Sequence, residues 1–236
     1  MSVTIATIVK NEAENWLPKA LECWKAVGTR IVAVDNGSTD GTVALLEAAG
    51  AQIHPFERPM DGEEAHARAF LWETAVDATP DGEWIVHLDA DQVLAGDPRP
   101  FLEHLPVNRA LFPVFDMWTP TAYRSDAWWR VRPWWQAVRM TPDARKTEQW
   151  QWPNRGWHSG HIPLNSNVFG PSRDVPWECG ILHYGYATPE FRVKHAAAYE
   201  KRAAVLTPKE QFHARTILDE RPRLVALPFE PTWRLL

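Results

Sequence analysis

Two cysteines in 236 residues are too few for a disulfide framework, and Cys23 and Cys179 have no spacing suited to a metal or redox pair. A reducing, cytoplasmic setting is the expectation. No apolar run reaches the ~18–20 residues that a membrane span needs, so no transmembrane segment is expected. The opening Met-Ser-Val-Thr-Ile-Ala-Thr-Ile-Val-Lys has no basic leader region and reads as a strand, not a signal peptide. Positive charge is also short. Lys and Arg number 25 against 30 Asp and Glu, a net charge of −5, which argues against a chain broadly committed to nucleic acid. The nine histidines include no metalloprotease-type spacing. There is no internal repeat and no low-complexity tract. A composition of 45% hydrophobic and 23% charged residues is that of a globular chain, one large domain or a core with a smaller lobe.

Tryptophan is abundant. Of 14 Trp, eight lie between Trp118 and Trp157, and that stretch carries seven Arg or Lys against three Asp or Glu. The 20 prolines concentrate after Pro98, so the second half should be rich in loops. Before it, buried strands and amphipathic helices alternate. Val3 to Val9, Arg30 to Val34, Ala51 to Phe56 and Trp84 to Leu88 read as strands from their β-branched and large apolar residues. Trp16, Leu17, Ala20, Leu21, Trp24 and Val27 recur at three and four, with Pro18 placing the helix start near Trp16 or Leu17 and Gly28 ending it. Thr42 to Ala49 and Gly62 to Ala78 read as two further helices. The alternation predicts an α/β fold with a parallel sheet and right-handed crossovers. Further on, strands are expected at Ala110 to Phe115 and Gly180 to Tyr184, and helices at Thr188 to Leu206 and Lys209 to Leu218.

The strand from Trp84 stops in two aspartates, Asp89-Ala90-Asp91. Open α/β sheets place ligands beyond the C-terminal ends of their strands. In a continuing strand both carboxylates would share one face, and such a pair repels unless a cation lies near it. Hard divalent ions take oxygen ligands of this kind.

Three tracts in order, Thr7-Ile8-Val9-Lys10-Asn11-Glu12, Val34-Asp35-Asn36-Gly37-Ser38-Thr39-Asp40-Gly41-Thr42 and Leu88-Asp89-Ala90-Asp91, resemble the family 2 glycosyltransferases. Leu182-His183-Tyr184-Gly185-Tyr186 is similar to that family's C-terminal His motif, with Lys194 and Tyr199 after it. The resemblance implies a GT-A fold, a Rossmann-like, mostly parallel sheet flanked by helices. Residues 1–97 would form the nucleotide-sugar-binding half, and residues 98–236 a Trp- and Pro-rich acceptor lobe with C-terminal helices. It implies a sugar moved from a UDP- or GDP-sugar to an acceptor, which could be a glycan, lipid, protein or modified nucleic acid. Mn²⁺ or Mg²⁺ held by Asp91 and His183 would neutralise the leaving diphosphate, with Asp89 near the ribose. Ile8, Val9, Asn11, Glu12 and Ala90 would border the nucleotide, and Asp35 would read the base. Arg68 stands where the family has the arginine of Ala-Arg-Asn, although Ala69 replaces the Asn here.

Several residues keep more than one reading. The Asp35–Thr42 tract is also a good strand–helix turn with Asp and Ser caps. Arg68 could be a snorkelling surface arginine. His87, inside a strand, reads as a satisfied sheet histidine, and His158 and His161 as loop residues near an acceptor. Trp128-Trp129-Arg130-Val131-Arg132-Pro133-Trp134-Trp135 offers flat faces between guanidiniums, suited to sugar rings or nucleobases, and equally a lobe core or a short membrane contact. Trp128, Trp134, Trp135 and His158 are the acceptor-binding candidates. An inverting transfer needs a carboxylate base. Asp116, Asp126, Glu148 and Glu178 are candidates, with Asp126 and Glu148 favoured by their place in the Trp/Arg stretch. Two rival readings are a nucleotidyltransferase of related fold and a non-catalytic carbohydrate- or nucleic-acid-binding module. The first would need a Gly-rich basic loop after the first strand, which Lys10-Asn11-Glu12 does not supply, and the second leaves Asp89, Asp91 and His183 unexplained.

Overall fold

The computed structural model describes residues 1–58, 64–126, 128–146, 150–152, 160–163 and 170–236. The elements run β1 (Val3–Val9), α1 (Leu17–Val27), β2 (Arg30–Asp35), α2 (Thr42–Ala48), β3 (Gln52–Pro55), α3 (Glu64–Ala78), β4 (Trp84–His87), β5 (Gln92–Leu94), α4 (Arg99–Glu103) and β6 (Arg109–Asp116). They continue with β7 (Ala122–Arg124), β8 (Arg132–Arg139), β9 (Ser172–Asp174), β10 (Ile181–His183), α5 (Pro189–Glu200), α6 (Pro208–Thr216) and β11 (Leu224–Ala226).

The first half follows the sequence closely. Strands β3, β2, β1 and β4 lie side by side and parallel, with Ile5 opposite both Ile31 and Val86. Alternate residues of a strand face opposite sides of a sheet. Val3, Ile5, Val9, Ile31, Ala33 and Val86 accordingly pack with Leu17, Leu21 and Trp24 of α1. Ala6, Val32, Val34 and Ile85 pack with Leu71, Trp72, Ala75 and Val76 of α3. Covered on both faces, these strands need nearly continuous apolar sequence, which is what made them readable. Helix α1 begins at Leu17 with Pro18 in its first turn, where the missing N–H costs nothing. At its end Gly28 packs so closely on β1 that a Cβ would lie 2.8 Å from Ile5 Cγ1.

The second half supplies the antiparallel part of the expected mostly parallel sheet. Strand β8, drawn from the Trp/Arg stretch, enters antiparallel between β4 and β6, with Ala137 opposite both Val86 and Ala110. Among the described residues the sheet has nine strands, in the order β3-β2-β1-β4-β8-β6-β10-β5, and β9 pairs with β6. Strand β10 lies parallel to β6 and antiparallel to β5, which brings Ile181–His183 beside the Asp-x-Asp turn. Strands β7 and β11 form a separate pair.

Near the C-terminus, one helix was expected across Thr188–Leu206, but α5 stops at Glu200 and a 3-10 turn spans Ala203–Val205. Thr207 then caps α6 in a reciprocal box with Glu210, and the residue before Pro208 is pushed to extended backbone, so no helix can run through. The last residues return to the main core. The Thr232 N–H donates to the Ala95 carbonyl at 2.6 Å, and Leu235 is fully buried. No helix among the described residues is long and apolar enough to cross a membrane.

Candidate active site

Two loops at the C-terminal edge of β1 and β2 are fastened to each other. Asn11, at φ 54°, accepts from the Thr39 N–H at 2.8 Å through its side chain and donates its own N–H to Ser38 Oγ at 3.0 Å. The Glu12 N–H donates to Thr42 Oγ1 at 2.7 Å and the Ala13 N–H to Asp40 at 3.1 Å. Ser38, Asp40 and Thr42 of the second tract therefore fasten the loop after the first strand, and Asp40 Oδ1 also accepts from the Thr42 N–H at 3.0 Å. Asp35 is buried and accepts from the Ser38 N–H at 3.1 Å. Its backbone pairs with Val9, and its side chain is not on the wall of the cavity described below. Burial, reinforced by Asp91, pushes the Glu12 carboxyl up to about 7 despite a hydrogen bond to Asn15.

The two aspartates do not share a strand face. Strand β4 stops at His87, and the Gln92 N–H bonds back to the Asp89 carbonyl at 2.9 Å, so Asp89 to Asp91 form a turn that sends the side chains to different partners. Asp89 meets Arg68. The guanidinium, buried on α3, donates to Asp89 Oδ1 and His87 Nε2, both at 2.9 Å, and pairs with Glu64 at 3.2 Å. His161 contacts Asp89 Oδ2 at 3.1 Å, and its ring lies 4.5 Å from that of His87. Burial opposes the charge on Asp89, but Arg68 and His161 hold its carboxyl well below the usual range. Burial and the adjacent guanidinium depress His87, which stays neutral and accepts the Arg68 hydrogen bond.

Among the described residues, His87, Asp89 and His161 form the group of three possible ligands closest together, their donor atoms within 4.8 Å of one another. The Arg68 guanidinium already supplies positive charge to two of them. A second cation there would face it directly, so this cluster is better described as an arginine-filled brace for Asp89.

Asp91 meets His183. The imidazole Nε2 lies 3.3 Å from Asp91 Oδ2, while Nδ1 lies 2.7 Å from Asp116 Oδ1 at the end of β6. Burial disfavours charge on His183, yet the two carboxylates raise it well above the ordinary histidine value. Metal-bound histidines commonly hand their second ring nitrogen to a carboxylate, which fixes the tautomer and ring direction. Asp116 is placed to do this, leaving Nε2 toward Asp91. Gly185 leaves the space in front of both open, since a Cβ there would lie 2.7 Å from Asp91 Oδ2 and 2.8 Å from His183 Nε2. One carboxylate oxygen, one oriented imidazole nitrogen and a glycine-cleared space fit a divalent cation of the Mn²⁺ or Mg²⁺ class.

These groups open onto one cavity of about 620 Å³. Its acidic floor includes Glu12, Asp89, Asp91 and Asp116, with Ile8 and Ala90 between them. One wall carries Trp128, Arg130, Arg132 and Trp134, and another Tyr186, His195, Tyr199 and His213 from the C-terminal segment. The Trp stretch divides between core and surface. Trp129 is 1% exposed and packs with Trp118, Tyr186, Tyr199 and Ile217, whereas Trp134 and Trp135 are 45% and 43% exposed on β8. Trp134 lines the cavity, and Trp135 is not among its lining residues.

Of the four carboxylates considered as a base, Asp116 alone lines the cavity among the described residues. Asp126 accepts from Arg124 Nε at 2.7 Å and from the Arg223 N–H at 2.6 Å, away from that wall. Glu178 is exposed on a 3-10 turn. Glu148 and His158 lie outside the described residues. Sequence reasoning missed the pairing of Asp116 with His183, because the two are 67 positions apart. Gly185 stood in the quoted His motif, but its steric role has no sequence signal.

A mostly parallel α/β sheet with an acidic turn at its C-terminal edge, closed by a later histidine, is a GT-A-like arrangement. Residues 4–160 match the family "Glycosyl transferase family 2", and the chain belongs to that family. A 92-residue segment is 34% identical to the TPR repeat-containing protein Synpcc7942_0270 of Synechococcus elongatus, covering 39% of this chain and 21% of that protein. Among solved structures, glucosyl-3-phosphoglycerate synthase of Mycobacterium tuberculosis in complex with UDP is 17% identical over 49% of this chain and 44% of that one, with a TM-score of 0.34. The same synthase with Mn²⁺, UDP-glucose and phosphoglyceric acid gives 17%, 48%, 43% and 0.33. The chain thus spans about a fifth of the curated relative it matches and less than half of these structures.

Proposed function

We propose that this chain transfers a glycosyl group from a nucleotide diphosphate sugar, of the UDP or GDP class, to an acceptor hydroxyl. The observation that carries the reading is the convergence of Asp91 and His183 beneath Gly185, in a chain that belongs to a glycosyltransferase family. Asp91 and His183 would hold a divalent cation, Mn²⁺ or Mg²⁺, which supplies charge to offset that growing on the leaving diphosphate. Asp116 holds the His183 Nδ1–H and so keeps the ring in its ligating direction. In this reading Asp116 is a positioning group and not the base. Arg68 keeps Asp89 ionised and aimed at the cavity, where a carboxylate can accept from ribose hydroxyls. Ile8 and Glu12, at the end of β1, line the cavity and would border the nucleotide, and Trp134 offers a flat face for a sugar ring.

The test is a panel of UDP- and GDP-sugars incubated with Mn²⁺ and scored for release of the nucleoside diphosphate, which needs no known acceptor. Release from at least one donor, abolished by EDTA, is the expected result. No release from any donor, together with no binding of UDP or GDP, would overturn the reading.

A further inference from the structure

The cavity is acidic at its floor, yet two guanidiniums on its wall, Arg130 and Arg132, have no carboxylate bound to them among the described residues. Arg68 is committed to Glu64 and Asp89. Arg132 stacks over Trp128 with its Cζ 4.2 Å from the ring centroid and donates to the Trp128 carbonyl. Burial lowers its pKa despite the attraction of Asp116. Arg130, two residues earlier and exposed, has no ion-pair partner among the described residues. Two like charges placed together repel, and partly burying one of them adds a desolvation cost. Such a pair is stabilised when an anion arrives between them, and a guanidinium presents its donors in a fork matched to carboxylate or phosphate. Trp134 completes the wall with an exposed flat face beside the arginines.

We infer that Arg130 and Arg132 form an anion-recognition site for the acceptor, which is a saccharide carrying a carboxylate or phosphate group. This rests on the glycosyl-transfer reading. The sheet order puts the arginines at the start of β8, between the β4 end that leads to Asp89 and the β6 end that carries Asp116. Arg132 pairs with Val114 of β6 and lies two strands from the β1 end where Ile8 and Glu12 stand. A sugar ring on Trp134 would present its acidic substituent to the arginines. The same site disfavours a long polyanion, because Glu12, Asp91 and Asp116 line the same cavity and the chain carries a net charge of −5.

The experiment titrates the protein with glucose, glucuronate and glucose 6-phosphate, following tryptophan fluorescence, with a short oligodeoxynucleotide and UDP plus Mn²⁺ as further arms. Expected are saturable binding of one or both anionic sugars at least tenfold tighter than glucose, and loss of that preference in Arg130→Gln and in the Arg130→Gln/Arg132→Gln double variant. Arg130→Gln removes an exposed side chain with no ion pair among the described residues, so it keeps the test sound if the double variant fails to fold. UDP–Mn²⁺ affinity should be the same in wild type and Arg130→Gln. Equal affinity for glucose and the anionic sugars would overturn the inference, as would an unchanged Arg130→Gln variant or tighter binding of the oligonucleotide. A fall in UDP–Mn²⁺ affinity in Arg130→Gln would also overturn it, by assigning the arginines to the donor. Anionic-sugar selectivity in a protein that neither binds nor cleaves any nucleotide sugar would uphold the anion site and overturn the glycosyl-transfer reading alone.

Discussion

Gly185→Ala adds one methyl group at the point where the proposed metal site is most confined. An ideal Cβ there lies 2.7 Å from Asp91 Oδ2 and 2.8 Å from His183 Nε2, and ordinary contact begins at 3.4 Å. One or both side chains must therefore retreat by about 0.6–0.7 Å, several times the ~0.2 Å tolerance of metal–ligand distances. His183 has little freedom to move, because its Nδ1 is held by Asp116 at 2.7 Å. Overpacking of this kind costs about 1–3 kcal/mol. Because the two ligand atoms are the groups displaced, most of that cost should fall on the metal-bound state. Affinity for Mn²⁺ in the presence of UDP should drop roughly tenfold or more, since 1.4 kcal/mol is about a factor of ten. Isothermal titration measures this, and a melting curve without metal checks that the fold is kept. Wild-type Mn²⁺–UDP affinity in a well-folded Gly185→Ala protein would refute the reasoning.

Other parts of the structure make separate predictions. Arg124, 2% exposed in its side chain, pairs with Asp126 and Asp219 and donates to the Thr216 carbonyl, so Arg124→Ala should destabilise the protein by about 3–5 kcal/mol in denaturant titration. A loss below 1 kcal/mol would show that these contacts do not tie the C-terminal segment to β7. Trp129→Ala should cost about 3–5 kcal/mol of stability, whereas Trp134→Ala should leave stability nearly unchanged and lower transfer to acceptor. Matched melting curves decide between them, and equal destabilisation would contradict the division of the Trp stretch into core and surface. Burial pushes the Cys23 thiol up to about 12, so it stays protonated at pH 8 and should react with a thiol reagent only after unfolding. Fast labelling of native protein at Cys23, located by peptide mass, would contradict the buried position.

The parts of the fold legible in sequence were those whose residues face a core on both sides. Strands β1, β2 and β4 read correctly because parallel strands between two helix layers are apolar throughout, and α1 because its stripe and Pro18 agree. Strand β8 was not legible. Its outer half, Arg132 to Trp135, is charged and aromatic and partly exposed, so no alternation marked it, although Gln136, Ala137 and Val138 are buried at the sheet centre. Short strands such as β5 and β10 owe their place to pairing with each other, a long-range contact without local signature. In the site, local tracts located Asp89, Asp91 and His183. Their separate contacts are with partners distant in sequence: Arg68 and His161 for Asp89, and Asp116 for His183.

The central claim is that Asp91 and His183 together hold the divalent ion that receives the nucleotide diphosphate. Titration of Mn²⁺ into wild type, Asp91→Asn and His183→Ala at pH 7.5, with UDP present, tests it most directly. A UDP-dependent Mn²⁺ site in the wild type, lost in Asp91→Asn and weakened at least tenfold in His183→Ala with melting temperatures preserved, is the predicted result. Wild-type affinity in either variant would contradict the claim.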